Sequence, residues 1–116
     1  MEMTAPNLNA VFAALADPTR RAIVARLCNG PVSVMDLAKP FNISQPAVSK
    51  HLKVLERAGL ISRGIDQQRR PATLTPVALD AAMRWLEDLR ALWDQRLDTL
   101  DNLLIELKSE LENPND

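Results

Sequence analysis

Polar side chains that could bind a macromolecule are concentrated in the segment SQPAVSKHLKVLER, residues 44–57. At 100° per residue, a helix over this segment places Val48, Leu52 and Leu55 on one face. Polar and basic side chains fall on the opposite face. The apolar face would pack on a core and leave the other face open to a partner. An ordinary solvated surface has the same pattern, so the flanking elements must decide between the two interpretations.

The polar face has the chemistry that reads double-stranded DNA. Gln45 can make two hydrogen bonds to adenine, Ser49 can pair with either kind of base, and Lys50 can reach a base edge or a phosphate. Lys53 and Arg57 lie further along, where they would contact phosphates. The complete set expected to contact DNA, including three arginines after the helix, is Ser44, Gln45, Pro46, Ser49, Lys50, Lys53, Arg57, Arg63, Arg69 and Arg70.

Two further helices are predicted upstream of the segment that positions these residues. The first is a short amphipathic helix whose apolar face carries Leu8, Val11, Phe12 and Leu15. The second has Asp17 as N-cap and Pro18 in its first turn, and Gly30 can close it.

A tight turn joins helix 44–58 to a short helix over 34–39, which has the Ser33–Asp36 spacing of a capping box and ends at Pro40. Downstream, LISRGID and RPATLT flank QQRR and predict a weak β-hairpin, which Pro71 should limit to edge pairing. The order of these elements predicts a mainly α fold with a small β-hairpin wing, a winged helix-turn-helix.

A long helix is predicted to begin at Thr75 and Pro76 and to end near Leu111. It would be about 50 Å long, too long for one small domain to cover. Its apolar residues recur every seven positions, as in a coiled coil. The stripe could pack only on its own domain. We favour burial of its second half against a second copy, through Trp93, Leu97, Leu100, Leu104 and Leu107.

Length and charge fit one domain over residues 1–116, with a DNA-binding core over 8–75 and a dimerisation helix over 76–111. The net charge is −1, but residues 17–75 hold ten Lys/Arg against four Asp/Glu, and residues 76–116 hold four against ten. A nearly neutral chain can therefore carry a basic working face.

Other features of the sequence exclude several classes of protein. A single cysteine allows no internal disulfide and fits a reducing compartment. Neither a leader nor an apolar run of about 20 residues is present, so we expect a cytoplasmic protein without a membrane segment. With one His, one Cys, three Gly and no phosphate-binding loop, we expect neither an enzyme nor a cofactor.

Three separated segments resemble the ArsR family of bacterial winged-helix repressors: LADPTRRAIVARL, ISQPAVSKHLKVLERAGLISR, and the Trp-Leu…Arg…Trp…Leu-Asp pattern from Trp85 to Asp98. The resemblance covers roughly residues 8–107. It implies a homodimer paired through the first and last helices, which adds Leu8, Val11 and Phe12 to the expected interface. It also implies repression at an operator with two-fold symmetry. The family's base-reading positions fall on Gln45, Pro46, Ser49 and Lys50.

The sequence departs from the metal-sensing members of that family. Ser33-Val34-Met35 stands where those members carry Cys-Val-Cys, and residues 76–116 contain no His for their other common site. The RGxxxQxRP pattern of residues 63–71 and the paired Trp of the last helix resemble a metal-independent branch. We therefore expect no metal site of the usual kind within a protomer.

The remaining reactive side chains have ordinary interpretations. His51 should be a packing or phosphate-contact residue, and Cys28 a small core residue. The signal that releases DNA stays open between an apolar ligand, a protein partner, a thiol and autorepression alone. The alternative function is a protein-interaction adaptor that uses the long helix.

Overall fold

The computed structural model describes residues 6–64 and 71–112. Helices dominate it, and its elements in chain order are α1 (Leu8–Ala14), α2 (Pro18–Leu27), α3 (Val34–Ala38), a 3₁₀ turn (Lys39–Phe41), α4 (Gln45–Arg57), β1 (Ile61–Arg63), β2 (Ala72–Leu74) and α5 (Pro76–Glu112). This order confirms the predicted mainly α fold with a two-stranded wing and a long last helix.

The predicted polar caps start three of the helices. An Asp17 oxygen accepts the Arg20 amide hydrogen at 2.9 Å, Ser33 Oγ accepts that of Asp36 at 3.2 Å, and Ser44 Oγ accepts that of Ala47 at 3.3 Å. Each bond satisfies an amide that has no partner inside its own helix. The starts of α2, α3 and α4 are therefore set by their own sequences.

Pro40 marks the end of α3, as predicted. The α-helix stops at Ala38, and the chain passes through the 3₁₀ turn to Asn42, which has a left-handed backbone with φ 53°. Asn tolerates this conformation better than most residues. The reversal at Asn42 turns the chain from α3 into α4 within a few residues.

The wing is an antiparallel pair in which Ile61 faces Leu74, Ser62 faces Thr73, and Arg63 faces Ala72. The sheet has only these two strands in the described part of the chain, and Pro71 itself bonds on one side only, in agreement with the predicted edge pairing. Ala72 also forms a bridge to Val32, with Ala72 N donating to Val32 O at 2.9 Å. Proline removes one amide hydrogen only. The Pro71 carbonyl still accepts from Gly64 N, and the next amide remains free to bond on the other side.

One apolar core joins the first four helices, the wing and the start of α5. Its fully buried large side chains are Val11, Ile23, Leu37, Val48, Leu52, Leu55 and Leu60. Ala78 and Ala82 extend the core into the first turns of α5. Cys28, expected as a small core residue, is exposed instead. It is the C-cap residue of α2, one position beyond the buried Leu27, and its Sγ lies 3.5 Å from Val24 O.

The chain divides into two units, residues 1–82 and 83–116. In the second unit, the structure describes the remaining turns of α5, and every residue from 83 to 112 is exposed. None of the described helices combines the length and apolar character needed to cross a membrane.

The Asp17 cap makes stability depend on pH in a predictable direction. Its bond with the Arg20 amide is the main reason why the Asp17 pKa lies below its ordinary value of 3.8, and the charges of His51 and Arg20 act in the same direction. A lowered pKa means stabilisation that is complete above the unfolded-state value and lost as the pH falls through the folded-state value. Asn caps helices as well as Asp but does not titrate. The stability difference between wild type and Asp17→Asn should therefore shrink below about pH 4.

Urea unfolding of both proteins from about pH 7 to about pH 2.5 measures this difference. Asp36, whose pKa is lowered by Lys39 and Ser33, titrates in both proteins and so cancels in the comparison. A difference that stays constant over the whole range would contradict the role assigned to the Asp17 charge.

Candidate nucleic-acid interface

Helix α4 has one face sealed and one face open. Val48, Leu52 and Leu55 are completely buried, as the spacing predicted. The helix contacts α1, α2, α3 and β1, so its underside is held by most of the first unit. The opposite face carries the exposed residues Gln45, Pro46, Lys50, Lys53 and Arg57. Four other elements thus support a single polar surface.

The cap of α4 binds two of the backbone amides in its first turn. Pro46 has no amide hydrogen, and the amides of Ala47 and Val48 donate to Ser44, through its Oγ and its carbonyl oxygen. Gln45 therefore supplies the remaining first-turn amide as well as an exposed side chain. Ser44 is engaged as the cap, although it is itself exposed. An anion at this tip would meet the Gln45 amide and the positive end of the helix dipole.

The basic side chains of α4 retain their charge for a partner. Among the described residues, no ion pair joins Lys50, Lys53 or Arg57 to a carboxylate. Lys39, in the turn before α4, is instead paired with Asp36 at 3.2 Å. Ser49 lies on the flank of the helix and is half-buried. The polar face is thus basic, with a hydroxyl and an amide near its tip.

The wing is only partly described. Arg63 ends β1, is half-buried and pairs through its backbone with Ala72. Arg69 and Arg70, also expected to contact DNA, lie outside the described residues. The predicted contribution of the wing therefore stays a prediction for those two arginines.

His51 faces the beginning of α2. Its Nδ1 lies 3.4 Å from Arg20 Nη1 and 4.0 Å from a carboxylate oxygen of Asp17. Of the two roles expected for His51, this position favours packing, because the ring is turned toward the protein and three-quarters of its side-chain surface is covered.

Arg20 has a role that the sequence reasoning missed. We counted it as part of a basic surface, but its guanidinium donates from Nε to Ala14 O at 2.7 Å and from Nη2 to Ala13 O at 3.2 Å. The last carbonyls of any helix lack partners inside the helix. The sequence shows only that an arginine follows the break between two helices, and that position alone does not predict the contact.

The expected dimer residues fall into two groups. The five on α5, from Trp93 to Leu107, are all exposed. On α1, Leu8 and Phe12 are half-buried and pack against the core. Val11 was wrongly placed at the interface, because it is 0% exposed within its own protomer. Helix α1 has only seven residues and one apolar face, and this face packs on the core of its own protomer with Val11 at the centre of the face.

Metal ligands are sparse in the part of the chain that the structure describes. No group of three or more His, Cys, Asp or Glu side chains is placed to hold an ion there. Met35 is an exposed thioether.

Known proteins match both the sequence and the fold. Residues 17–63 match the family described as "Bacterial regulatory protein, arsR family". The HTH-type transcriptional regulator Rv2034 of Mycobacterium tuberculosis is 49% identical over 84 residues, which cover 72% of this chain and 76% of the relative. The transcriptional repressor SdpR of Bacillus subtilis is 38% identical over 79 residues, covering 68% of this chain and 88% of the relative.

Solved structures agree with these matches. The crystal structure of the ArsR family transcriptional regulator RHA00566 is 38% identical with a TM-score of 0.71, covering 81% of this chain and 97% of the other. The homodimeric winged helix-turn-helix domain Mb0332 of Mycobacterium bovis is 22% identical with a TM-score of 0.56, covering 79% of this chain and 82% of the other; this match shows the fold alone. The chain therefore belongs to the ArsR family and is a transcriptional regulator with a winged helix-turn-helix DNA-binding domain.

Proposed function

We propose that this regulator is a homodimeric repressor that binds an operator with two-fold symmetry through α4 and the wing. The observation that carries the proposal is the division of α4 into a sealed apolar face and an open basic face with Gln45 at its tip. An α-helix with such a tip fits the major groove. The relative SdpR is a transcriptional repressor, and the domain from M. bovis is a homodimer.

Each exposed residue of α4 has a distinct task in this proposal. Gln45, Ser49 and Lys50 near the tip read base edges, and Pro46 offers only apolar contact. Lys53 and Arg57 are further along the helix and bind backbone phosphates, which fix the register without reading sequence. Ser44 caps the helix, while Arg63 and the arginines at 69 and 70 extend the contacts to the wing, either with phosphates or with the minor groove.

Dimerisation follows in this proposal from the surface of α5. At 37 residues the helix is about 56 Å long, and its apolar residues remain exposed along the whole described part of the second unit. Exposed apolar patches of this extent mark interaction sites in soluble proteins. A second copy would cover Trp93, Leu97, Leu100, Leu104 and Leu107, with Leu8 and Phe12 of α1 completing the interface.

We propose that the repressor works in the cytoplasm, where it meets the chromosome, and that it needs no metal, cofactor or catalytic step. The chain has one Cys and one His. Cys28 follows the end of α2, whereas His51 is engaged by Arg20 on the flank of α4. A protomer thus has few soft donors for a zinc-like ion.

The exposed apolar surface of α5 also favours a second candidate function, a protein-interaction adaptor. The two functions differ in their response to salt. Binding to DNA through several phosphate contacts falls steeply as the salt concentration rises, because counterions are released. Apolar docking of a protein partner on α5 is nearly insensitive to salt. A salt titration of the binding reaction separates the two candidates.

Gln45→Ala tests base reading. We expect binding to a duplex selected by the pure protein from a random-sequence pool to weaken by about 1–3 kcal/mol, with little change for a scrambled duplex. Lys50→Ala should weaken the selected complex by a similar amount. Lys53→Ala is the matched control: it should weaken both complexes alike and reduce the slope of log K against log salt by about one unit. Equal losses on both duplexes for Gln45→Ala would refute its role in reading bases.

Leu104→Glu tests the dimer. The side chain is 62% exposed in the protomer, so the substitution should leave the stability of the protomer nearly unchanged. In a two-fold dimer it would remove two buried leucines and weaken association by about 100-fold or more. Asn102 is exposed on the opposite side of α5, so Asn102→Glu should leave association unchanged. Sedimentation equilibrium measures both. A monomeric wild type, or equal dissociation constants for all three proteins, would contradict the proposed interface.

Zinc titration tests the absence of metal control. With untagged protein bound to its selected duplex, added zinc followed by a chelator should leave the affinity unchanged in both steps. Cys28→Ser should behave identically, because no proposed site uses the thiol. Stoichiometric zinc binding that releases DNA would show that the chain senses metal after all.

A further inference from the structure

The Arg20 side chain joins the end of α1 to the side of α4. Two of its three guanidinium nitrogens donate to carbonyl oxygens at the end of α1, those of Ala14 and Ala13. The third, Nη1, lies 3.4 Å from Nδ1 of His51 on α4. One planar cation thereby holds acceptors from two helices, with its own backbone amide fixed by Asp17. The rigid fork of arginine makes such a bridge directional.

The third contact of Arg20, with His51, has a defined direction. Arginine has only donors and stays charged, so the nitrogen that faces it must accept. Nδ1 of His51 is therefore the acceptor in this contact. The Asp17 carboxylate is 4.0 Å away from Nδ1, too far for a hydrogen bond. The defined link between α2 and α4 at this point is the bond from Arg20.

The contact between Arg20 and His51 is directional, whereas apolar packing is not. Val48, Leu52 and Leu55 hold α4 against the core, but apolar burial is not directional and permits small rotations about the helix axis. Each residue near the tip would then move relative to a base edge, whereas phosphate contacts by long Lys and Arg side chains tolerate the change. His51 lies next to Lys50 and two positions from Ser49. A contact at His51 therefore opposes rotation of the same turn of α4 that carries these two residues.

We propose that Arg20 is a positioning residue for base reading. Its guanidinium, anchored on the carbonyl oxygens at the end of α1, contacts His51 and thereby fixes the rotation of α4 about its axis. This inference rests on the proposed function of α4. It makes Arg20 a determinant of specificity that contacts no DNA. The same bridge ties the recognition helix to α1, which takes part in the proposed dimer interface.

Arg21 offers a matched control for the alternative role of Arg20, in which its side chain only caps the carbonyl oxygens at the end of α1. It donates from Nη1 to Leu15 O at 2.8 Å, at the same helix end, and its side chain is exposed. Loss of that bond affects the end of α1 without a direct effect on α4. The two neighbouring arginines therefore separate helix capping from positioning.

The test compares five proteins: wild type, Arg20→Lys, Arg21→Lys, His51→Leu and His51→Asn. For each, the dissociation constants for the selected and the scrambled duplex are measured at one salt concentration, and their ratio gives the specificity. We expect this ratio to fall about tenfold in Arg20→Lys and His51→Leu. It should change less than about twofold in Arg21→Lys. His51→Asn should keep most of the specificity, because its Oδ1 places an acceptor near the position of Nδ1.

Urea unfolding of the same proteins separates positioning from stability. If Arg20→Lys and His51→Leu lose stability but keep the wild-type ratio, Arg20 has only a structural role and the inference is wrong. A loss in His51→Asn as large as that in His51→Leu would also overturn it. A wild type without preference for its selected duplex would instead defeat the proposed function, so the two failures are distinguishable.

Discussion

The burial of the apolar face of α4 is the interaction on which the rest of the structure depends. Val48, Leu52 and Leu55 are fully covered by side chains from α1, α2, α3 and the wing, and each stabilises the fold by about 1.5–3 kcal/mol. The same burial determines which residues face outward, because the helical period fixes the residues on the opposite face once one face is in the core. The basic surface of α4 is therefore a consequence of core packing, and any change that tilts this face changes what is presented to DNA.

Local rules made α4 predictable, together with the starts of α2 and α3. An N-cap depends on residues within one turn, and a buried stripe depends on spacing alone, so Ser44, Asp17 and Leu52 could be placed from the sequence. Long-range contacts could not be placed in this way. The bridge between Val32 and Ala72 spans forty positions of sequence, and no local pattern indicates which strand a single residue will join.

Surface residues near helix ends were the hardest to predict, for a related reason. Arg20 looks like any solvated cation until the end of α1 is known to lie beside it. Cys28 was expected in the core and is exposed, whereas Val11 was expected at an interface and is buried. Both differ from expectation because tertiary packing decides which turns of a helix contact the core. The basic face of α4 was inferred correctly, since it needs only the helical period. The contact proposed to fix the rotation of α4 could not be inferred in this way, because it involves α1, α2 and α4 together.

The exposed surface of α5 places a physical constraint on the free protein. A helix end without tertiary contacts has little stability beyond its own propensity and side-chain pairs, such as Arg90 with Asp94 at 3.6 Å. Residues 83–112 therefore need a partner for most of their stabilisation, and in the proposed dimer a second copy would supply it symmetrically. DNA binding by two α4 helices then requires that both protomers keep a fixed orientation at the same time. The Arg20 bridge ties α4 to α1, and it would carry that requirement to the recognition helix from α1, a part of the proposed dimer surface.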